Sequence, residues 1–596
     1  MRAHRLVATA LFGLLLTSCT GDDAQDPQQT TPASGPTESQ GPGNEPTVSE
    51  LGGPRDTLVV AAPSDAETML TVVVQATYDN DLYQNILMPS VIPSFDCELK
   101  YEPGLYESWE FSEDHTVLKV KLRDDITWYD GTPVTAADVA FTYDLIADTT
   151  VASPRISNIE RMVPGKRPLI IDDHNVEFHF TQAYNPTTMI AHAAFVIVPK
   201  HLLESADRGT LRGHEWGRNP VVSGPLRIDK WQSDASITLV PNEKFTGPDE
   251  LKARIERAIF KVIPEYSTRL VEIESGAADM MEQILPPDAD RLAQEHPEIK
   301  LYRRGWRSND YIAWNHFAPE DYKAKQSAAG PELDWSTVKA HPIFGDKAVR
   351  RALTKAVNVD KLIGDLLTSK STGEVYGRRS VSTITPALCK IHNNDIDPLP
   401  YDAEAARAEL AAAGWTDTDG DGILDKGGQK LSFTLMTNSG NPRRAKAAII
   451  IQANLREVGV DMQIEKLETN TFFERLRKKD YEAALAGWSA GLFIDMIPLW
   501  HSGEQYEFNF VGYQNPEVDK LIEDALLEVD PDKSAEMFKQ AQALIYEDQP
   551  YTFLYWMDEI VGVHERFKDA KVDILSSFNQ LNTWWVPANE VKYGRQ

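Results

Sequence analysis

A chain of 596 residues is too long for one hydrophobic core, so about two to four domains are expected. A formal net charge of −30 with 42% apolar residues suits a well-packed soluble body and excludes a nucleic-acid partner, which needs a basic face. The acidic total is read as solvated surface, not as a sign of a cationic ligand.

The chain opens Met1-Arg2-Ala3-His4-Arg5, a basic start, followed by an apolar run from Leu6 to Leu16. That run is too short to span a bilayer core of ~30 Å. It ends Leu16-Thr17-Ser18-Cys19. Small residues before a cysteine resemble the lipobox of bacterial lipoproteins, cleaved before the cysteine and acylated on it. Residues 1–18 are then a signal peptide, Cys19 carries the lipid, and the protein is exported and anchored to a bacterial membrane, facing the periplasm or the cell surface. Residues 19–55 are Gly, Pro, Ser, Thr, Gln and acid, a composition that cannot bury enough surface to fold and reads as a disordered tether.

The folded body begins with a strand at Thr57-Leu-Val-Val-Ala-Ala62. Residues 115–123 alternate, with Leu118, Val120 and Leu122 on one face and Lys119 and Lys121 on the other, as in a half-buried strand. Asp130-Gly131 turns the chain, and Thr135 with Asp138 has the form of a capping box before a helix carrying Val139, Tyr143 and Ile146 on one face. Tyr266, Leu270 and Ile273 predict an amphipathic helix, as do Val349, Leu353 and Val357. The stretch 319–341 is polar and reads as a surface insertion. Asp402 caps a helix ending at Gly414, and Asn441-Pro442, Asn515-Pro516 and Asp530-Pro531 start three more. Strands at 431–437, 460–466 and 481–486 alternate with these helices, which predicts an α/β lobe.

Two runs make the chain recognisable: Gly104-Leu-Tyr-Glu-Ser-Trp-Glu-Phe-Ser-Glu-Asp-His115, and Leu122-Arg-Asp-Asp-Ile-Thr-Trp-Tyr-Asp-Gly-Thr-Pro-Val-Thr-Ala-Ala-Asp-Val-Ala-Phe141. They resemble the signature of the extracellular solute-binding proteins of the oligopeptide/dipeptide transporter family, family 5. Ser223-Gly-Pro-Leu226, Trp231 and the stretches 241–247, 274–279, 349–363, 509–521 and 546–555 are similar to that family in order. The resemblance implies an α/β, two-lobed periplasmic-binding-protein type II fold with an extra inserted domain. Lobe I would combine residues 56–85, 221–310 and 555–596, the extra domain 86–220, and lobe II 311–554. Ligand would sit between lobes joined by two chain crossings. On that layout Cys97 and Cys389 fall in different lobes, and they are expected to stay unbridged, since a bridge would lock lobes that should move.

The stretch Ala483-Ala-Leu-Ala-Gly-Trp-Ser-Ala-Gly-Leu-Phe-Ile-Asp-Met-Ile-Pro-Leu-Trp500 reads as the cleft. Glycines let backbone approach closely, indole faces give area and a lone carboxylate gives orientation. The alternative reading of the same residues is a buried strand leaving a core, with Asp495 capping a turn. Gly487-Trp488 matches the family's pattern. Where peptide-binding members carry an ammonium-pairing aspartate, this chain has Gly491, and Asp495 either replaces that anchor or caps the turn. The ligand-binding residues are expected to be Gly487, Trp488, Ser489, Asp495 and Trp500. In the family, backbone there binds the peptide as an added strand.

Asp417-Thr-Asp-Gly-Asp-Gly-Ile-Leu-Asp425 has the start of a calcium loop. Asp417, Asp419, Asp421 and Asp425 with the Ile423 carbonyl would hold a structural ion, but Gly428 stands where the loop's closing glutamate belongs. A metal-free Asp-Gly turn is the other reading. No cofactor is expected beyond that ion. No metalloprotease, nucleophile-elbow or phosphate-loop motif is present, so the chain is expected to be a binding protein and not an enzyme. Its partners are a peptide and the permease and ATPase of an ABC importer, with the protein itself a monomer touching the membrane through its lipid alone. An oligosaccharide, a metal chelate or another small solute is the alternative ligand, and a sensor or chaperone without an importer the alternative role.

Overall fold

The computed structural model describes residues 56–74, 77–329, 333–439, 441–492, 494–502 and 508–593. The signal peptide, Cys19 and the tether lie outside the described residues.

Two long strands run through the molecule. Ile299–Trp314 has 16 residues and Tyr551–His564 has 14, so each reaches roughly 50 Å at the usual rise per residue. They pair antiparallel with each other from Ile299↔His564 to Ala313↔Tyr551. One 11-stranded sheet is built on them. On one flank lie Ala483–Ser489, Ser432–Asn438 and Asp461–Leu467; on the other lie Met280–Ile284, Thr57–Ala62, Arg257–Val262, Ser236–Pro241 and Leu226–Gln232. Gly377–Arg379 also pairs with Tyr551–His564. The register of the crossing pair breaks between Arg304 and Ser308, and Trp306 there takes a left-handed φ of 63°. This bulge separates the two lobes.

The strands predicted near 431, 460 and 481 form and run parallel. Local chemistry explains the helices between them. Asn441, Asn515 and Asp530 each accept backbone N–H bonds at a helix start that carries proline, and Asp402 does the same ahead of Ala403–Ala412. Thr135 and Asp138 make the reciprocal capping box. Lobe II buries two apolar clusters, one around Trp314, Leu353 and Leu435 and one around Tyr311, Trp500 and Tyr551.

Residues between the first strand and Leu226 add a four-stranded antiparallel sheet, Tyr106–Phe111, Val117–Leu122, Asn175–His179 and Leu169–Asp172, and a hairpin, Val91–Phe95 with Leu99–Pro103. This added unit shares one apolar cluster with the lobe I sheet: Val120 and Phe178 from the former sit with Leu58, Val60 and Phe260 from the latter. The polar stretch 319–341 carries a helix, Pro319–Ala329, and a small core of Phe317, Tyr322, Leu333, Trp335 and Val338.

One expectation is overturned. Cys97 and Cys389 are disulfide-bonded, with Cα atoms 4.9 Å apart across a sequence separation of 292. Cys97 sits at the tip of the Val91–Pro103 hairpin with φ 62°, and the hairpin reaches across to the loop holding Cys389. The objection that a bridge would lock the lobes treats any bond between them as rigid; a bridge added to the strand crossings still leaves rotation about the line through both.

Candidate functional site

The strand Ala483–Ser489 is buried from Ala483 to Ala486 and only half-buried from Gly487 to Ser489. One of its edges pairs with the first crossing strand over its whole length, Ser489 opposite Ser308 and Trp488 opposite Asn309. The other edge pairs with Ser432–Asn438 only as far as Leu485. From Ala486 onward that second edge has no strand partner among the described residues. A row of unpaired backbone groups beside an aromatic wall is a template for an added strand.

Trp488 is that wall. Its ring lies parallel to Phe510 at 5.3 Å and to Tyr311 at 6.0 Å, with Phe508 edge-on at 5.9 Å. Behind them Tyr311 stacks on Tyr551 at 4.0 Å. These rings hold the indole in place, so Trp488 is preorganised.

Gly487 has a different reason from the one expected. A Cβ there would run into the Asn309 carbonyl, the Arg444 guanidinium and the Asp310 carboxylate. The glycine accommodates a buried ionic cluster. Asp310, 1% exposed, accepts from Arg443 Nε at 3.0 Å, Arg444 Nε at 2.9 Å and the Tyr555 hydroxyl at 3.1 Å. Burial pushes the Asp310 carboxyl up, but the two guanidinium groups outweigh it and hold it below the usual carboxylate range. Sequence reading missed this cluster. A signal was there: Arg443 and Arg444 follow Asn441-Pro442 in the first turn of a helix, where the dipole disfavours cations unless an anion holds them.

Asp495 is engaged on both oxygens. Its Oδ1 accepts from the Ile497 N–H at 3.0 Å, starting the short helix Ile497–Trp500. Its Oδ2 accepts from Arg161 Nη2 at 2.8 Å, with the side chains only 14% and 18% exposed. Arg161 belongs to the added unit of lobe I, so this ion pair spans the two lobes. Its other terminal nitrogen lies 3.1 Å from His192 Nε2. Of the two sequence readings the cap is present, and the carboxylate's remaining capacity goes to arginine.

Trp500 is corrected. It is 1% exposed, packs on Tyr551 at 4.8 Å and donates its indole N–H to Thr383 Oγ1 at 2.9 Å. The buried ring packs in the core, so Trp500 supports the wall and does not line it. Arg307, in the bulge between lobes, ties three parts together. Its backbone carbonyl accepts from Ala490 N–H at 2.7 Å, and its guanidinium donates to the carbonyls of Ala490 and Ile574, both at 3.2 Å.

A shallow cavity lies elsewhere on lobe I, lined by Asp81, Gln84, Met88 and Asn579 among others. Among the described residues of 487–495, none lines it. Burial raises Asp81 to about 7, with Arg304 opposing.

In the acidic loop, Asp417, Asp419 and Asp425 bring carboxylate oxygens within 4.8 Å of one another. The Lys430 ammonium sits among them, 2.7 Å from Asp419, 3.0 Å from Asp421 and 3.8 Å from Asp425. Asp417 accepts the N–H groups of Gly420 and Gly422 at 2.7 and 3.0 Å. Lys430 thus brings positive charge into the loop.

The architecture is that of a two-lobed binding protein, with lobes joined by paired crossing strands and an open strand edge at the seam between them. The signature of the bacterial extracellular solute-binding proteins, family 5 (middle region), matches residues 100–510, and the chain belongs to that family. It is 26% identical over 580 residues to the oligopeptide-binding protein AppA of Bacillus subtilis, covering 97% of each chain. To the periplasmic oligopeptide-binding protein OppA of Salmonella typhimurium it is 24% identical over 504 residues, 81% of this chain and 83% of that one. Among solved structures, AppA from Bacillus subtilis in complex with a nonapeptide superposes with a TM-score of 0.70 at 26% identity, covering 89% of this chain and 99% of that one. NikA from Brucella suis in complex with Fe(III)-EDTA shares the fold with a TM-score of 0.72 at 19% identity, covering 89% and 99%. No helix of the described residues is long and apolar enough to cross a membrane.

Proposed function

We propose that this protein captures peptides between its lobes and delivers them to the permease and ATPase of an ABC importer. The observation that carries the reading is the unpaired strand edge from Ala486 to Ser489 beside the stacked Trp488. Main-chain hydrogen bonds to such an edge give affinity without reading side chains, so ligands of varied sequence are accepted. AppA, similar along 97% of both chains, is named for oligopeptides and holds a nonapeptide in its solved structure, which supports the same ligand class here. The protein works as a monomeric receptor with no catalytic role, acylated at Cys19 and held off the membrane by residues 20–55. Asp495, consumed by Arg161 and Ile497, does not anchor a peptide ammonium. The hinge is the bulge at residues 305–307. Lys430 is the counter-ion of the acidic loop, and calcium enters only by displacing it.

Mass spectrometry of ligand released by denaturing protein purified from its source tests the reading. A ladder of short peptides is expected. A single sugar or metal chelate would overturn it.

A further inference from the structure

Besides the Arg161–Asp495 ion pair, two joints hold the lobes together at places far apart in the chain. One is the bulged pair of crossing strands, where Arg307 holds Ala490 and Ile574, and Thr385 Oγ1 donates to the Trp306 carbonyl. The other is the Cys97–Cys389 disulfide, flanked by the ion pair of Lys390 with Glu98 at 2.7 Å.

Both ends of the disulfide are set in rigid bodies. On one side, Val91 of the Cys97 hairpin lies in the same apolar cluster as Leu58, Val60 and Phe260 of the lobe I sheet. The added unit cannot peel away from lobe I without exposing that shared core. On the other side, Leu388 is 1% exposed in a lobe II core. The following residues are fixed as well: Asn393 N–H donates to Gln542 Oε1 at 3.1 Å, Gln542 Nε2 to the Ile391 carbonyl at 2.8 Å, and Asn393 Nδ2 to the Lys539 carbonyl at 2.9 Å.

Two rigid bodies joined at one hinge swing apart freely about it. Joined at two separated points, they keep one motion that stretches neither: rotation about the line through both. We infer that Cys97 and Cys389 form a second pivot that sets how far the cleft opens and so which ligands enter it. Rocking about that line parts the lobes along one side. An extended chain slides in beside the open edge at residues 486–489, while a bulky or branched solute that needs the lobes fully apart is refused. The identity of the ligand rests on the peptide reading above; the limit on opening does not.

The test uses the full-length protein without reductant, the C97S/C389S variant, and wild type treated with a dithiol. The dithiol gives two electrons and two protons to the bridge, becoming a disulfide itself and leaving Cys97 and Cys389 as thiols. In the unreduced denatured protein no thiol from Cys97 or Cys389 should titrate. Small-angle scattering of ligand-free protein should give a larger radius of gyration for the variant and for the reduced protein than for the oxidised one. Peptide release from either should be about tenfold faster, because the open state they populate is wider. Titratable Cys97 and Cys389 in the native protein, or equal radii across all three samples, would overturn the inference. Since the scattering needs no ligand, a failed peptide reading would leave that result standing, and reduced wild type serves if the variant does not fold.

Discussion

Replacing Asp495 with asparagine separates two roles a carboxylate at the seam can play. The asparagine side chain has the same shape and still offers an oxygen to the Ile497 N–H, so the short helix start survives. What disappears is the negative charge facing Arg161 at 2.8 Å. Two unit charges with centres about 4 Å apart attract by roughly 4 kcal/mol at the effective dielectric of a partly buried site. Drawing both groups out of water as the lobes close offsets part of that, leaving roughly 2 kcal/mol. The pair spans the lobes, so its loss should fall on the closing step. Titration calorimetry should show ligand affinity weakened about 30-fold, by the same factor for peptides with a free and with a blocked N-terminus. Arg161→Gln should cost a similar amount, and the double variant little more than either single one. A loss confined to ligands with a free ammonium would refute the reasoning and make Asp495 the ligand's anchor. Unchanged affinity for both would show that the pair contributes nothing to closure.

Trp488→Ala should raise the Kd for peptide about 100-fold while far-ultraviolet circular dichroism and a cooperative melt are retained; unchanged affinity would mean the cleft lies elsewhere. Lys479 is 2% exposed, donates to the Asn509 carbonyl at 2.7 Å and lies over the Trp335 and Tyr322 rings at 4.6 and 5.5 Å. Burial brings it down from 10.5 to about 7. A base whose folded value is below its unfolded one binds fewer protons when folded between those values, so stability should rise from about pH 7 to pH 10. Lys479→Met should abolish that rise in denaturant titrations and, at pH 6, be the more stable protein by about 2 kcal/mol; identical pH slopes would count against the buried charge. Adding calcium to chelated protein should move the melting temperature little in wild type and upward in Lys430→Ala, where Asp419, Asp421 and Asp425 lose their ammonium. No shift in either would leave the loop a plain turn.

What could be read from the chain was what local chemistry decides. Asn441, Asn515 and Asp530 announce helices because cap, proline and first turn sit within a few residues. The parallel strands of lobe II are apolar runs bounded by these helices. The family signature added the two-lobed arrangement, which order along the chain does not reveal. The crossing strands were harder. Residues 303–307 read Arg-Arg-Gly-Trp-Arg, with no alternation, because that stretch passes from one lobe's surroundings to the other's. Contacts between distant segments left no trace in spacing: Arg161 with Asp495, Asp310 with Arg443 and Arg444, and Cys97 with Cys389. Each partner follows from where the sheet carries the chain, and for Trp500 the same lack of tertiary information hid that its ring turns inward.

The first and last segments of the chain also depend on each other. Arg566 pairs with Asp56 and with Asp279, the latter at 3.0 Å, all three side chains almost fully buried. Asp56 also accepts the N–H groups of Lys592 and Tyr593 at 2.7 and 2.9 Å. Asp56 and Arg566 stand 510 residues apart. A chain emerging N-terminus first carries Asp56 uncompensated until nearly its whole length has followed. Lobe II, by contrast, is drawn from one continuous stretch, and its cores close on Tyr551 to Met557. Asp56 and Asp279 are therefore among the last buried groups to gain their counter-charge. A protein truncated shortly before Arg566 would keep a folded lobe II attached to a lobe I holding two buried acids with no cation, a species for proteases to clear.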